Sequence, residues 1–304
     1  MGKFTHTDEA VAHLSNGIDI CYDTVGNPKD PALLLVMGLS GPLNWWSPGL
    51  CEVLASRGFY VIRYDNRDVG RSTALNDLGG KRLDLVRAFV NRRKAPPYSL
   101  DDMAGDAFGL LDHLGIQQAH VTGVSMGGMI AQTMAVIEPD RVLSLVSIMS
   151  TTGRRSVGWQ HPRLIPMLLN GRRSDRDRVI ATSVKTWAMI GSPAYPTPAD
   201  ETRERAAETF DRGISTTGVL RQIQAVLTQP DRTPQLRGLT MPTLVIHGLN
   251  DPMVHVSGGR ATAQAVPGAE LLLIPGMGHD MPRELWPTFA DGIERTAQRT
   301  RAPA

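Results

Sequence analysis

A serine between two glycines, followed much later by an aspartate and a histidine, has the residue types and spacing for covalent catalysis. Ser125 is the centre of the sequence Gly-Val-Ser-Met-Gly, which follows the β-type run 119–122 and precedes an apolar segment with helical spacing. A strand that reverses into a helix within one turn forces its central residue into a sparsely populated backbone conformation. A Cβ at either glycine would then collide with the crossing chain. The pattern predicts a nucleophile elbow with the Ser125 hydroxyl exposed at its tip.

A serine hydroxyl is a weak nucleophile at neutral pH and needs a general base that is itself oriented by a carboxylate. Asp251 follows the strand-like run 243–247, and His279 follows the strand-like run 270–274. Functional groups of open α/β sheets collect at the carboxyl ends of the strands. We therefore predict that Ser125 is the nucleophile, His279 the base and Asp251 the acid.

Rival residues have weaker claims to these roles. His120 and His247 lie within predicted strands, where packing or hydrogen bonding accounts for a histidine, whereas His255 is the second choice as base. For the acid, the predicted strand 142–149 is followed by Ser-Thr-Thr-Gly, which contains no carboxylate. This favours Asp251.

An oxyanion needs two preorganised donors, and backbone amides beside the nucleophile commonly supply them. We assign the N–H groups of Met126, directly after the nucleophile, and of Leu39, in the glycine-containing turn after the predicted strand 31–37. Residues near these loops are expected to form a soft, adaptable substrate pocket. Its predicted lining residues are Gly38, Trp45, Met129 and Met277.

The whole chain resembles the α/β-hydrolase superfamily. Residues 65–72, Asp-Asn-Arg-Asp-Val-Gly-Arg-Ser, are similar to the Asp-x-Arg-x-x-Gly-x-Ser turn of that family. Residues 100–115 and 125–132 are similar to its esterase and methylesterase branch, which includes aclacinomycin methylesterases and lipolytic actinobacterial esterases. The order Ser, Asp, His along the chain also matches.

The resemblance implies further properties and one departure. Serine at position 125 excludes the epoxide hydrolases and haloalkane dehalogenases of this fold, which carry aspartate there. Met37 precedes the glycine of the oxyanion loop, as in the methylesterase group, where many other members have histidine. A thioether cannot donate the hydrogen bond that an imidazole would donate.

The alternation of β-type runs and helical segments predicts an α/β-hydrolase fold, with a mostly parallel central sheet flanked by helices and an inserted helical cap. Strands are predicted at 18–24, 31–37, 59–64, 119–123, 142–149, 243–247 and 270–274, and helices near 45–57, 100–114, 126–138 and 284–298. The first two of these strands are expected to form an antiparallel edge, and the basic stretch 81–94 is interpreted as an exposed connection.

The alternation stops between about Thr152 and Leu239, where helical periodicity continues without a strand. We predict a core domain of residues 1–151 and 240–304 and a helical cap of residues 152–239. The first half of the cap is basic and carries Arg154, Arg155, Arg163, Arg172, Arg173, Arg176, Arg178 and Lys185 among apolar residues that include Ile165, Met167, Leu168, Leu169 and Trp187. Two interpretations remain open, namely a lid that contacts an anionic amphiphile and a solvated Arg-rich face.

Composition is compatible with one large core. The chain has 304 residues, 41% of them hydrophobic, and a formal net charge of +2, which is too small to suggest a nucleic-acid partner. It has two cysteines, no secretory h-region and no apolar run long enough to span a membrane, so we expect a cytoplasmic protein with no integral membrane segment. No metal or organic cofactor is expected, because neither a Cys/His ligand cluster nor a Gly-rich dinucleotide turn occurs. The oligomeric state is left open.

These observations predict a serine hydrolase that cleaves small carboxylic esters, including lipid-like or anionic ones, through an acyl-enzyme intermediate. Three alternatives remain. A cofactor-free perhydrolase and a thioesterase or acyltransferase would use the same triad. A ligand-binding receptor on a hydrolase scaffold would keep the triad but turn over very slowly.

Overall fold

The fold is built on one eight-stranded sheet. The computed structural model describes residues 4, 6–78, 82–90, 95–164, 175–213 and 215–301. Its strands are β1 (Ala10–His13), β2 (Asp19–Val25), β3 (Ala32–Val36), β4 (Tyr60–Tyr64), β5 (Ala119–Val124), β6 (Val142–Ile148), β7 (Thr243–Gly248) and β8 (Glu270–Ile274). They lie in the order β1-β2-β4-β3-β5-β6-β7-β8, which confirms the predicted fold class.

The antiparallel edge consists of β1 and β2 and not of the two strands predicted for it. β2 pairs antiparallel with β1 and with β4, whereas β3 lies inside the sheet and pairs in parallel with β4 and β5. Both segments form strands as predicted, but only 18–24 belongs to the antiparallel edge, and the placement of 31–37 there is wrong. All five residues of β3 are buried, as expected for a strand covered on both faces.

Helices cover both faces of the sheet and bury alternate residues of each strand. The helices are α1 (Pro48–Ser56), α2 (Arg82–Val90), α3 (Leu100–His113), α4 (Met126–Ile137), α5 (Arg176–Ile190), α6 (Ala199–Arg212), α7 (Thr216–Thr228), α8 (Thr233–Leu236), α9 (Ser257–Ala265) and α10 (Trp286–Gln298). On β3, Leu34 and Val36 pack against α3 and α4, whereas Leu33 and Leu35 pack against α1 and α10. The two-residue period of a strand explains this division.

Residues 152–239, here called the insertion, connect β6 to β7. Their described part contains helices α5 to α8 and turns but no strand. The predicted basic and apolar residues at 165–174 lie outside the described residues. The other predicted basic residues are exposed, which both interpretations allow, namely Arg154, Arg155, Arg163, Arg176, Arg178 and Lys185. The division into core and cap domains stays a prediction.

Two further features concern segments outside the sheet. The stretch 81–94, interpreted above as a connection, contains α2, and α2 packs against α7. Lys81 and residues 91–94 lie outside the described residues. Among the helices that the structure describes, none is long and apolar enough to cross a membrane.

Candidate active site

Ser125 lies at a sharp turn between β5 and α4. Its φ of 58° and ψ of −119° place a residue with a Cβ in a strained backbone region. A Cβ on Gly123 would lie 2.1 Å from the carbonyl oxygen of Gly127, and one on Gly127 would lie 2.1 Å from that of Val36. Only glycine fits at either position, which is the physical reason for the Gly-x-Ser-x-Gly spacing.

The structure brings Ser125, His279 and Asp251 together at the carboxyl edge of the sheet. His279 Nε2 lies 3.0 Å from Ser125 Oγ, and His279 Nδ1 lies 2.7 Å from Asp251 Oδ2. The other carboxylate oxygen of Asp251 accepts hydrogen bonds from the amides of Met253 (2.8 Å) and Val254 (2.9 Å). The carboxylate is therefore held so that one oxygen faces the imidazole.

The insertion holds the loop that carries His279. The backbone N–H of His279 donates to the Ile190 carbonyl at the end of α5 (2.7 Å), and the N–H of Gly278 donates to Ser192 Oγ (2.9 Å). Ser192 Oγ in turn donates to Asp280. The position of the imidazole thus depends on contacts that the insertion makes.

The loop after β3 passes directly beside Ser125. A Cβ on Gly38 would lie 3.1 Å from Ser125 Cβ and 3.7 Å from the Met126 nitrogen. The amides of Leu39 and Met126 donate no hydrogen bond to any residue that the structure describes. Within that part of the chain both N–H groups therefore lack an acceptor, and that of Met126 directly follows Ser125.

Two buried amide side chains hold this loop. Ser40 has a φ of 54°, and its N–H donates to Gln222 Oε1 on α7 (2.9 Å). Gln222 Nε2 donates to the Arg67 carbonyl (2.9 Å), and Asn66 Nδ2 donates to the Met37 carbonyl (2.9 Å). The segment 65–72, singled out by its resemblance to a family motif, therefore supports the loop beside the serine.

The residues predicted to line a substrate pocket have different surroundings. Gly38 borders Ser125, and Trp45 is half-buried with its indole N–H donating to Thr209 Oγ1 on α6 (2.8 Å). Met129 is buried in α4, where its sulfur accepts from Gln229 Nε2 (3.2 Å). Met277 is fully buried in the cluster formed with α1 and α10, so its side chain packs in the core.

The rival histidines have structural partners. His247 is fully buried, its Nε2 lies 2.8 Å from the Val254 carbonyl, and burial lowers the pKa of its imidazole. His255 stacks on Trp159 with ring centroids 4.1 Å apart. Neither makes the contact with Ser125 that His279 makes.

Sequence reasoning missed Gln222, Ser192 and Arg205, all in the insertion. The pattern of the insertion reveals only helical periodicity, and the partners of these side chains lie far away along the chain. Ser40 and Gln222 are 182 residues apart. Only Gln222 offered a signal, as a buried polar residue on an amphipathic helix.

Comparisons with known proteins identify the family and the fold. The family model described as alpha/beta hydrolase fold matches residues 31–282. Rhodomycin D methylesterase DauP of Streptomyces sp. (strain C5) is 30% identical over 303 residues, which cover 91% of this chain and 94% of the relative.

Two solved structures share the fold. The enol-lactonase of Burkholderia xenovorans LB400 has a TM-score of 0.74 at 22% identity and covers 95% of this chain and 100% of its own. A thermophilic esterase of Thermogutta terrifontis has a TM-score of 0.72 at 22% identity and covers 97% of this chain and 100% of its own.

Proposed function

The chain belongs to the α/β-hydrolase family and is a carboxylic ester hydrolase of the esterase type, and from this premise we propose that it works through a Ser125-His279-Asp251 triad. The contact that supports the proposal most directly is the 3.0 Å distance between His279 Nε2 and Ser125 Oγ. A general base within hydrogen-bond reach of a serine hydroxyl can take its proton as the oxygen attacks.

In the first half-reaction Ser125 Oγ attacks the ester carbonyl while His279 Nε2 takes the hydroxyl proton. Asp251 holds the imidazole in the orientation in which Nδ1 carries a proton, and its charge stabilises the imidazolium that forms. The tetrahedral intermediate places negative charge on the former carbonyl oxygen, and the amides of Leu39 and Met126 donate to it. The imidazolium then protonates the departing alcohol, which leaves an acyl group on Ser125.

In the second half-reaction water replaces the alcohol. His279 takes a proton from the water as its oxygen attacks the acyl carbonyl, and the same two amides bind the oxyanion. The intermediate collapses by breaking the bond to Ser125 Oγ, which recovers its proton from His279. The free acid leaves and the enzyme is restored.

For the substrate we propose a small-molecule methyl ester, because the similar Streptomyces protein is named a methylesterase and covers almost the whole chain. We also propose that residues 152–239 act as a cap, since α6 and α7 contact Trp45 and the loop at 38–41. A cytoplasmic location is proposed as well. Both cysteines, Cys21 and Cys51, are free thiols, as expected in a reducing compartment.

The proposal is tested by initial rates on p-nitrophenyl esters from acetyl to palmitoyl, together with methyl esters, for wild-type protein and Ser125→Ala. We expect Ser125→Ala to lose activity by on the order of 10⁴-fold or more. A fluorophosphonate should label wild-type protein at Ser125 and leave the variant unmodified. Near-normal turnover by Ser125→Ala would contradict the assignment of Ser125 as the nucleophile.

The same purified wild-type protein can be used to distinguish the esterase from the three alternative functions. Peroxide-dependent halogenation with acetate present would identify a perhydrolase. Acyl transfer to an added thiol or alcohol in preference to water would identify an acyltransferase, and faster cleavage of a thioester than of its matched ester would identify a thioesterase. Saturable ligand binding without turnover would indicate the receptor.

A further inference from the structure

One arginine of the insertion lies against two neighbouring tryptophans, one of which, Trp45, packs on the loop beside Ser125. Arg205 is half-buried on α6, and its Cζ lies 4.5 Å from the ring centroid of Trp187 and 5.9 Å from that of Trp45. The two indole rings meet edge to face, with centroids 5.3 Å apart. The rings restrain the guanidinium, but they accept no hydrogen bond from its five N–H groups, which point outward in the plane of the guanidinium.

Among the residues that the structure describes, Arg205 has no anionic partner in direct contact. Within the part of the chain that the structure describes, its guanidinium donates no hydrogen bond and forms no ion pair. Two other arginines of the insertion, whose side chains are buried, differ. Arg212 lies 2.7 Å from Asp65, and Arg221 lies 2.6 Å from Asp68. These two charges are neutralised by carboxylates, whereas that of Arg205 is not.

The electrostatic surroundings of Arg205 leave its charge only partly compensated. Burial lowers the pKa of its guanidinium, and the negative charges of Asp280 and Glu201 oppose that effect from a distance. Asp280 is itself engaged with Ser192. Because Arg205 is only half-buried, an anionic ligand could reach its guanidinium and add the charge partner that the described residues do not supply.

Arg205 is connected to both loops beside Ser125, to the first through Trp45 and to the second through Asp280. Trp45 lies against the first loop, because a Cβ on Gly41 would lie 2.7 Å from its ring. Asp280, on which the charge of Arg205 acts, directly follows His279 in the second loop. The guanidinium is therefore linked to both loops, through Trp45 to the first and through the charge of Asp280 to the second.

We propose that Arg205 binds a carboxylate of the substrate, so that the preferred ester carries a second, ionised acid group away from the scissile carbonyl. The proposal rests on the proposed function of Ser125. A carboxylate accepts two parallel hydrogen bonds from one guanidinium, and this geometry gives both strength and orientation. The flanking indole rings exclude water and so strengthen the attraction.

The test compares anionic and neutral esters of equal length. Monomethyl esters of dicarboxylic acids with four to eight carbons are each paired with the methyl alkanoate that lacks the second carboxylate. Rates are measured for wild type, Arg205→Met, Arg205→Lys and Arg203→Met. Arg203 is the matched control because it is exposed on the same helix and loses the same charge, and it lines a groove of about 550 Å³ between α5 and α6.

We expect the wild type to prefer at least one monomethyl dicarboxylate over its neutral partner by about tenfold or more in kcat/KM. Arg205→Met should remove this preference through a higher KM and leave the neutral ester within about twofold. Arg205→Lys should retain part of it, and Arg203→Met should retain all of it. An equal loss on both esters, or an equal effect of Arg203→Met, would overturn the proposal.

Binding measured without turnover separates this proposal from the proposed function. Free glutarate should quench tryptophan fluorescence in Ser125→Ala, because Trp45 and Trp187 flank the guanidinium, and the quenching should disappear in Ser125→Ala/Arg205→Met. If Ser125→Ala hydrolyses esters normally, the proposed function fails. If Ser125→Ala is inactive but no dicarboxylate from four to eight carbons binds in an Arg205-dependent way, only the Arg205 proposal fails.

Discussion

Gln222, on α7 of the insertion, accepts a hydrogen bond from the backbone N–H of Ser40 at 2.9 Å. Ser40 has a positive φ and directly follows Leu39, whose amide we propose as an oxyanion donor. Gln222 is fully buried and also donates to the Arg67 carbonyl. The insertion therefore contacts the loop that would stabilise the transition state and does more than cover the site.

Removing the hydrogen bonds of Gln222 is expected to reduce kcat more than it raises KM. Gln222→Met keeps the side-chain volume but releases the Ser40 amide, so the Leu39 donor loses its fixed position. We expect kcat to fall by about tenfold or more, since a whole oxyanion donor contributes on the order of 10²- to 10³-fold. Gln224→Met is the control, because Gln224 is buried on the same helix.

A transition-state analogue makes that experiment specific. A boronic acid should bind Gln222→Met more weakly by about the factor lost in kcat/KM, while a substrate-like amide should bind as it does to wild type. An equal loss for both ligands, or an equal loss in Gln224→Met, would show that Gln222 supports folding rather than the oxyanion loop.

Asp251 contacts His279 and Asp280 directly follows it in the chain, so the two carboxylates offer a paired test of the acid. Asp251→Asn should lower kcat on the order of 10⁴-fold, because an amide cannot hold the imidazole with Nδ1 protonated. Asp280→Asn should have a far smaller effect on a neutral ester, since Asp280 is bound to Ser192. The measurement is kcat on p-nitrophenyl acetate, and a reversed ranking would make Asp280 the acid.

The same glycine-to-alanine change should have opposite effects at two positions. At Gly123 the added Cβ would lie 2.1 Å from the Gly127 carbonyl oxygen, so we expect a loss of roughly 3 kcal/mol in the free energy of unfolding and a distorted elbow. At Gly105, exposed within α3, the Cβ meets nothing within 4 Å. There alanine should add about 0.5–1 kcal/mol.

Denaturant unfolding of Gly123→Ala and Gly105→Ala measures both effects, with esterase activity read in parallel. Gly105→Ala should keep wild-type activity. A stable, fully active Gly123→Ala would contradict the close packing of the elbow.

Burial of His247 predicts that acid destabilises the protein. Above about pH 6.5 the imidazole is neutral in the folded and the unfolded chain and contributes nothing to the pH dependence. Below that value His247 takes up a proton in the unfolded chain. In the folded chain burial lowers the pKa of His247, so its imidazole stays neutral. The free energy of unfolding should therefore fall as pH falls from about 6.5 to the lowered pKa, by at most about 1.4 kcal/mol per pH unit.

His247→Gln is expected to remove this part of the acid destabilisation, because the glutamine amide can still donate to the Val254 carbonyl. Urea unfolding at intervals from pH 8 to pH 5 gives the difference between variant and wild type. That difference should shift in favour of the variant as pH falls. A difference that stays constant would mean that His247 does not resist protonation.

Local patterns were sufficient to predict most of the core elements. The Gly-x-Ser-x-Gly turn, seven of the eight strands and the order of Ser125, Asp251 and His279 all followed from runs of a few residues. These features are readable because backbone conformation and strand burial depend mainly on neighbouring residues. The edge strand β1 was missed because its four residues, Ala-Val-Ala-His, form too short a run to stand out.

The order of the strands in the sheet could not be predicted from those local patterns. β3 and β4 are consecutive along the chain, but only the sheet shows that β3 lies between β4 and β5. Because hydrogen bonds between strands join distant segments, an apolar run such as 32–36 predicts a buried strand without saying which neighbours it has.

The sequence by itself was sufficient to predict the reacting groups, since a serine confined by glycines and an aspartate and a histidine after later strands fit this chemistry best. The tertiary structure alone decided how those groups are held. It brought Gln222 to Ser40 and Ser192 to the His279 loop, and it set Arg205 against Trp45 and Trp187 with no carboxylate in contact among the described residues. These contacts depend on how the insertion packs over the sheet, and helical periodicity specifies which residues are buried but not what they meet.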